Sequence, residues 1–452
     1  MPKFCKSDLE SSINSLASAA SSSSDACNLI SAVLAIDQLT ASRYSAISGV
    51  GDIPDASTIP SGHIVHVGSL KTPVINSRSN KWIGLDGRLL RRDSYTRELW
   101  TWGWNNYGEL GDNTVNHKYS SPVTTAGGGT NWCSISGGYH SKGAIKTDGT
   151  LWTWGRNSYG QLGDGTTSNR SSPGTTVWGG TNWCQVDITR FFSAAIKTDG
   201  TLWTWGYNNC GQLGTGTTTS RSSPGTTTGG GTNWCFVSVS KGGIFGHTIA
   251  LKTDGTLWAW GTGLFGRLGD GAQCNRSSPV ISSDAGTNWC AASAGCGFSL
   301  GLKTDGTLWS WGKNSEGQLG AGFTGNTVSN PTMIGSGTDW SKITTGRDHS
   351  AAIKTDGTLW TWGCNAFGVL GDGSYYNTSM PNTTIGGGTN WSNAGFSYFG
   401  SAAIKTDGTL WTWGIQWNLG RDMTTSNCIP AQINGGGTNW DKVCNSMAIK
   451  KY

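Results

Sequence analysis

The side chains best suited to chemistry in this 452-residue chain sit in segments that vary while their surroundings stay constant. Six of them precede an Ala-Ile-Lys triplet or a close variant and read GGYHSKG, ITRFFSA, SVSKGGIFGHTI, SAGCGFSLG, TTGRDHSA and AGFSYFGSA. They carry Tyr139, His140, Arg190, Phe191, Phe192, Phe245, Arg347, Asp348, Phe396 and Tyr398. The residue after each recurring Trp-Gly also changes, contributing Trp104, Arg156, Tyr207 and Lys313. Aromatic and basic side chains of this kind dominate the hot spots of protein interfaces, so the chemistry they point to is recognition. Catalysis has no comparable signal. The chain lacks a GxSxG elbow, an HExxH helix, a phosphate-binding loop and a calcium loop. A catalytic pair would place an unusual acid, base or nucleophile in one unit, whereas the unusual residues here are spread over all units. The reading is a non-enzymatic protein with no cofactor; no CxxC pattern occurs, and His63 and His66 are too few to argue for a metal.

A strict repeat positions these segments. KTDGTLW begins at Lys146, Lys197, Lys252, Lys303, Lys354 and Lys405, and the motif LW-x-WG has its first tryptophan at Trp100, Trp152, Trp203, Trp258, Trp309, Trp360 and Trp411. GTNW or GTDW ends at Trp132, Trp183, Trp234, Trp289, Trp340, Trp391 and Trp440. Each unit reads as four short strands: one after the GTNW tryptophan, then AIK, LWTWG and a segment around RSSP. Asp-Gly between the second and third marks a tight hairpin, because glycine accepts the positive φ such turns demand. A four-stranded sheet with a tryptophan-rich face cannot bury that face alone; radial stacking buries it on the next sheet, which predicts a seven-bladed β-propeller over 99–452. The first LWTWG lacks a preceding AIK, and the chain ends in Met447-Ala448-Ile449-Lys450, so one blade takes two strands from each end. The variable segments enter and leave the central hairpin at the end opposite its turn, so they share one face of the ring. His140 and His349, both written GxxHS, are read as one repeat position with a hydrogen-bonding role inside the blade, against a ligand contact. The lysines of AIK are read as a solvated rim on the constant face, against an anion site.

Composition agrees with this architecture. Glycine supplies 70 residues and tryptophan 25, while only 13% are charged, as expected where tight turns recur and aromatic side chains build the core. The net charge of +5 is thinly spread, with no basic stripe suited to nucleic acid. Cys133, Cys184, Cys235 and Cys290 all follow a GTNW tryptophan, and equivalent sites on neighbouring blades lie too far apart for a disulfide; they are read as reduced, buried thiols.

The segment WGRNSYGQLGDG, from Trp154 to Gly165, resembles the repeat of the regulator of chromosome condensation family. The resemblance covers about 99–452 and implies the propeller. Members of that family include exchange factors for small GTPases and a protein inhibitor of β-lactamase, so it implies a binding function without choosing among partners. Exchange factors in the family act through a protruding wedge, and the large irregularity here is four extra residues between Phe236 and Ala250.

Residues 1–48 read as a helical anchor. Ser7 and Glu10 form a capping box, and Leu9, Ile13, Leu16, Ile30 and Leu34 fall on a heptad-like seam that suggests a coiled coil and a homo-oligomer, the alternative being one amphipathic helix lying on another protein. Residues 49–98 read as a small β module and linker, with HIVHV at 63–67 as a strand and KWIGL, Asp86-Gly87 and RLLR as a hairpin. This N-terminal arrangement looks like the corresponding regions of tailed-bacteriophage fibre proteins. The expectation is therefore a virion structural or receptor-binding protein assembled in the host cytoplasm, joined to other virion proteins through its N-terminal region and to a host surface receptor or protein partner through the propeller. The alternative is a cellular regulatory propeller with a protein partner. No signal peptide or membrane-spanning run is expected.

Overall fold

Six of the seven blades are organised by the chemistry of one turn. The computed structural model describes residues 96–452 apart from 128, 178–179, 230, 285, 387, 422–424, 435–436 and 445, together with strands at 75–76, 81–83 and 89–91. In the first complete unit Gly149 N donates to Lys146 O at 2.9 Å, and Asp148 Oδ1 accepts from the amide and hydroxyl of Thr150 at 2.9 and 2.7 Å. Trp152 Nε1 in turn donates to Thr150 Oγ1 at 2.9 Å. Gly149 has φ +77°, and a Cβ there would strike the Thr181 carbonyl of the next unit. Glycine is thus required both by the turn and by the close approach, which lets Trp183 N donate to Gly149 O at 3.0 Å.

Six blades run in chain order, each an antiparallel four-stranded sheet whose strands follow in sequence from the axis outward. Blade 1 comprises Trp132–Gly137, Ser141–Lys146, Leu151–Gly155 and Arg170–Thr175. Blades 2 to 6 begin at Trp183, Trp234, Trp289, Trp340 and Trp391. The closing blade 7 has the order Trp440–Cys444, Met447–Lys451, Arg97–Gly103, Lys118–Thr124. Ile449 lies opposite Leu99 and Met447 opposite Thr101, so the two chain ends share one sheet, as the incomplete terminal repeats require.

The core lies between blades. The second tryptophan of LW-x-WG is fully buried in all seven units, at Trp102, Trp154, Trp205, Trp260, Trp311, Trp362 and Trp413. It packs on the GTNW tryptophan of its own blade, as in Trp289–Trp311 with centroids 6.0 Å apart. Its indole N–H crosses to the preceding blade: Trp205 donates to Gln161 O at 2.8 Å and Trp311 to Arg267 O at 2.9 Å. The threonine between the tryptophans points the other way, as a two-residue period dictates, and Thr153 Oγ1 pins Leu162 O at 2.7 Å.

Two sequence readings are corrected here. The AIK lysines are not a solvated rim: Lys146 Nζ lies 5.1 Å from the Trp132 ring and 4.3 Å from Trp152, and the same paired contact recurs at Lys197, Lys252, Lys303, Lys354, Lys405 and Lys450. Each ammonium is a structural cation held by two indoles. The repeat-phased cysteines are not uniformly buried. Cys133 is buried and Cys184 half-buried, but Cys235 and Cys290 are exposed. The pairing register skips the residue after each GTNW tryptophan, leaving it on a bulge where its sulfur donates to a neighbouring strand, as from Cys290 to Leu302 O at 3.4 Å.

The chain divides into units Met1–Thr96 and Arg97–Tyr452. In the first, Ile75–Asn76, Lys81–Ile83 and Leu89–Arg91 form a three-stranded antiparallel sheet, and the last two strands are the expected hairpin, with Trp82 opposite Leu90. The helical seam of Leu9, Ile13, Leu16, Ile30 and Leu34 and the strand at 63–67 lie outside the described residues.

Candidate functional site

The inner strands of the seven blades ring the axis, and side chains stitch them together. Ser136, Asp187, Ser238 and Ser293 occupy one repeat position, as their pairing partners Gly143, Ala194, Ile249 and Leu300 show. Ser136 Oγ donates to Asp187 Oδ1 at 2.6 Å, and Val239 N donates to Asp187 Oδ2 at 2.8 Å. Asp187 is the acidic departure from a row of serines, and the Lys241 ammonium meets it at 3.0 Å. Burial works against the Lys241 charge, but the Asp187 carboxylate outweighs it and holds the amine above its ordinary range.

Where these strands end on the variable face, the loops of blades 1 to 6 enclose a cavity of about 330 Å³. Its cationic lining is Arg190, Lys241, Arg267, Lys313 and Arg347, its aromatic walls include Tyr139, Phe245, Phe265 and Tyr398, and no acidic side chain is among the described residues that line it. The rim is braced by backbone bonds between blades: Cys296 N donates to Arg347 O at 2.8 Å, and Arg347 N to Ser397 O at 3.3 Å. Asp348, set just behind, ties Lys313 Nζ and Arg347 Nε at 3.2 Å each. Arg347 stacks on Tyr398 at 4.2 Å, and Tyr139 and Tyr398 face each other at 5.2 Å. Burial pushes both phenols up from their ordinary value, so both remain protonated donors. Arg190 lies 5.9 Å from the Tyr139 ring and 5.2 Å from Phe191. Such a site can hold an anion against preorganised guanidinium groups and pack aromatic area around it.

The predicted site residues divide into three groups. Tyr139, Arg190, Phe245, Lys313, Arg347 and Tyr398 come together around the cavity, with Asp348 bracing them. Trp104, Arg156 and Tyr207 lie on the same face but do not line it: Trp104 packs on His117 and Trp417, Arg156 on Tyr107, and Tyr207 on Tyr159 and Phe191. Phe191, Phe192, Phe396 and His140 are corrections to the expectation of a displayed surface, because all four are buried. Phe192, 1% exposed, belongs to the core with Trp260, and Phe396 packs edge-on to Trp413, although its inner edge still reaches the cavity floor.

His140 and His349 are not one repeat position. Ser141 pairs with Gly155 while His349 pairs with Gly363, so His140 is equivalent to Asp348, and His349 to His247, Phe192 and Phe298. His140 Nδ1 meets Glu109 Oε1 at 2.8 Å; burial lowers its pKa, and Glu109 opposes the shift. His349 fills an aromatic core slot, where burial drives its pKa to about 3.

Lys241, Arg267 and Phe265 were missed by sequence reasoning. Lys241 and Phe245 belong to the four-residue expansion of the third unit, and Arg267 replaces the glutamine of GQLG present at Gln161, Gln212 and Gln318. Both signals were visible as departures from the repeat.

Models of the regulator of chromosome condensation (RCC1) repeat match residues 98–145, 148–196, 199–251, 254–302 and 305–353. The chain is 28% identical over 289 residues to the ultraviolet-B receptor UVR8 of Arabidopsis thaliana, covering 63% of this chain and 64% of that one. It is 31% identical over 244 residues to the E3 ubiquitin-protein ligase HERC2 of Homo sapiens, covering 53% of this chain and 5% of that ligase. The crystal structure of Prp20p from Saccharomyces cerevisiae, described with its binding to Gsp1p and histones, superposes with a TM-score of 0.67 at 18% identity, covering 79% of this chain and 92% of that one.

Proposed function

This chain belongs to the regulator of chromosome condensation repeat family, and from that premise we propose that it is a cellular regulatory propeller whose variable face docks a protein partner around the axial cavity. The observation that carries the reading is the cavity itself: loops from six blades converge on one mouth lined by cations and aromatics, on a scaffold whose opposite face is nearly invariant. Prp20p, a propeller of the same fold, is described as binding the proteins Gsp1p and histones, which supports a protein as the class of partner. The relatives named above are cellular proteins, which favours this alternative over the expected virion protein. The virion reading rested on residues 1–98, largely outside the described residues. The aligned part of HERC2 is a twentieth of that ligase, so ligase activity is not carried over.

A photo-reactive phenylalanine analogue placed at Phe245, which is 58% exposed, and separately at Lys354 on the opposite face tests the reading in extract of the source cell. A discrete protein adduct at 245 and none at 354 is the expected result. An adduct formed only at 354 overturns the assignment of the face.

A further inference from the structure

We infer that the axial cavity is a receptor for an acidic peptide segment, with Arg190 and Arg267 grasping neighbouring Asp or Glu carboxylates of the partner. The inference rests on the variable face being the docking face. Five cations line the cavity, and the two carboxylates behind it, Asp187 and Asp348, are already engaged by Lys241, Lys313 and Arg347. Arg190 and Arg267 have no ion-pair partner among the described residues.

Arg267 is only 4% exposed. Its Nε donates to Leu264 O and its Nη1 to Phe245 O, at 2.8 and 2.7 Å, and Nη2 has no protein partner among the described residues. Arg190 Nε is buried without a partner. A buried guanidinium without a counter-ion is a cost to folding. Sibling repeats fold with a neutral residue at this position: Gln161 Nε2 and Gln212 Nε2 each hold a carbonyl of the following blade, Arg190 O at 2.8 Å and Ile244 O at 3.2 Å, whereas Arg267 donates to carbonyls of its own blade. A neutral amide suffices in those repeats, and Arg267 does not take over its cross-blade bond, so the charge of Arg267 serves something else. Local departures from an otherwise consistent repeat of this kind mark functional sites.

Geometry selects the ligand. A planar guanidinium matches a carboxylate through two parallel N–H donors, and Tyr139, Phe245, Phe265 and Tyr398 supply apolar contact for the stem and backbone of a peptide. A polyanion would need cations continuing along its backbone. Here they converge on one mouth, while the AIK lysines of the other face are held over indoles.

The test is selection of a random peptide display library on the full chain, followed by binding of a fluorescein-labelled synthetic form of the selected peptide. Selected sequences are expected to carry adjacent Asp or Glu. Arg267→Gln, which installs the residue of the sibling repeats, and Arg190→Ala should each weaken binding about 10- to 100-fold, as loss of a charge-assisted pair does. Lys354→Gln should leave it unchanged, and the melting temperature of Arg267→Gln should not fall. Replacing the acids with Asn and Gln should abolish binding. Equal affinity for the amide peptide, or tighter binding of a phosphoserine peptide or of single-stranded oligothymidine, overturns the inference. A partner that cross-links at 245 while no acidic peptide is selected overturns the inference and leaves the docking face standing; failure of both overturns the face as well.

Discussion

Lys142 is a cation that the fold tolerates at a cost. Its chain is buried where blade 1 meets blade 7, and among the described residues its ammonium reaches Gly138 O at 3.2 Å and Ser446 Oγ at 3.4 Å. At the same repeat position Ser193, Ser299, Ser350 and Ser401 bond a carbonyl of the preceding blade. Burial lowers the Lys142 pKa from 10.5 to about 8, Cys444 and Glu109 opposing the shift. The folded pKa lies below the unfolded one, so the stability of the neutral form is fully present above pH 10.5 and is lost as pH falls through 8. At pH 7 the charged amine therefore carries a penalty of about 3 kcal/mol, from roughly 1.4 kcal/mol per unit. Lys142→Met keeps the apolar stem and discards the charge. Two hydrogen bonds lost at about 1 kcal/mol each leave a net gain of about 1 kcal/mol at pH 7. Above pH 10.5, where the wild-type amine is neutral in both states, that gain should reverse to a loss of about 2 kcal/mol from the same two bonds. Guanidinium denaturation of both proteins at about pH 7, 9 and 11.5 reads the difference. A variant less stable by the same amount at every pH would refute the argument, since it would mean that the native amine is not strained by its charge.

Other outcomes follow from the same structure. Stability should fall as pH drops from 6.5 toward 3, because burial holds His247 well below its ordinary value and His349 at about 3 while the unfolded chain takes up protons; His349→Phe, the residue of two sibling slots, should move the acid midpoint downward in a circular dichroism titration. Deleting 446–452 removes the strand Met447–Lys451 from the closing blade and should expose Leu99, giving a large loss of melting temperature and binding of a hydrophobic dye. Trp311→Ala empties a fully buried site and forfeits the bond to Arg267 O, so denaturant unfolding should register a loss of about 3–5 kcal/mol.

The propeller was legible because its signal is redundant: seven copies of LW-x-WG and the split terminal repeat state both blade number and closure. The site was legible only as a face. Phe192 and Phe396 lie in variable segments yet point inward, since alternate residues of a strand face opposite sides and letter variation does not reveal which. The histidines were misaligned because GGYHS and GRDHS look alike while strand pairing sets them one residue apart, and a one-residue slip exchanges a loop position for a core position. The cation–indole contacts of the AIK lysines join residues from three separate strands and turns, which no local pattern encodes. Arg267 and Asp187 were within reach, since each is a charged residue where three sibling repeats carry glutamine or serine.

Amide hydrogen exchange of the full chain, alone and with the protein captured at position 245, tests the central claim most directly. Added protection is expected to be confined to the segments at 137–140, 189–191, 241–246, 264–267, 296–298, 346–348 and 396–399, which surround the cavity. Protection confined instead to the Lys-Thr-Asp-Gly turns at 146–150, 197–201 and 354–358 would contradict it.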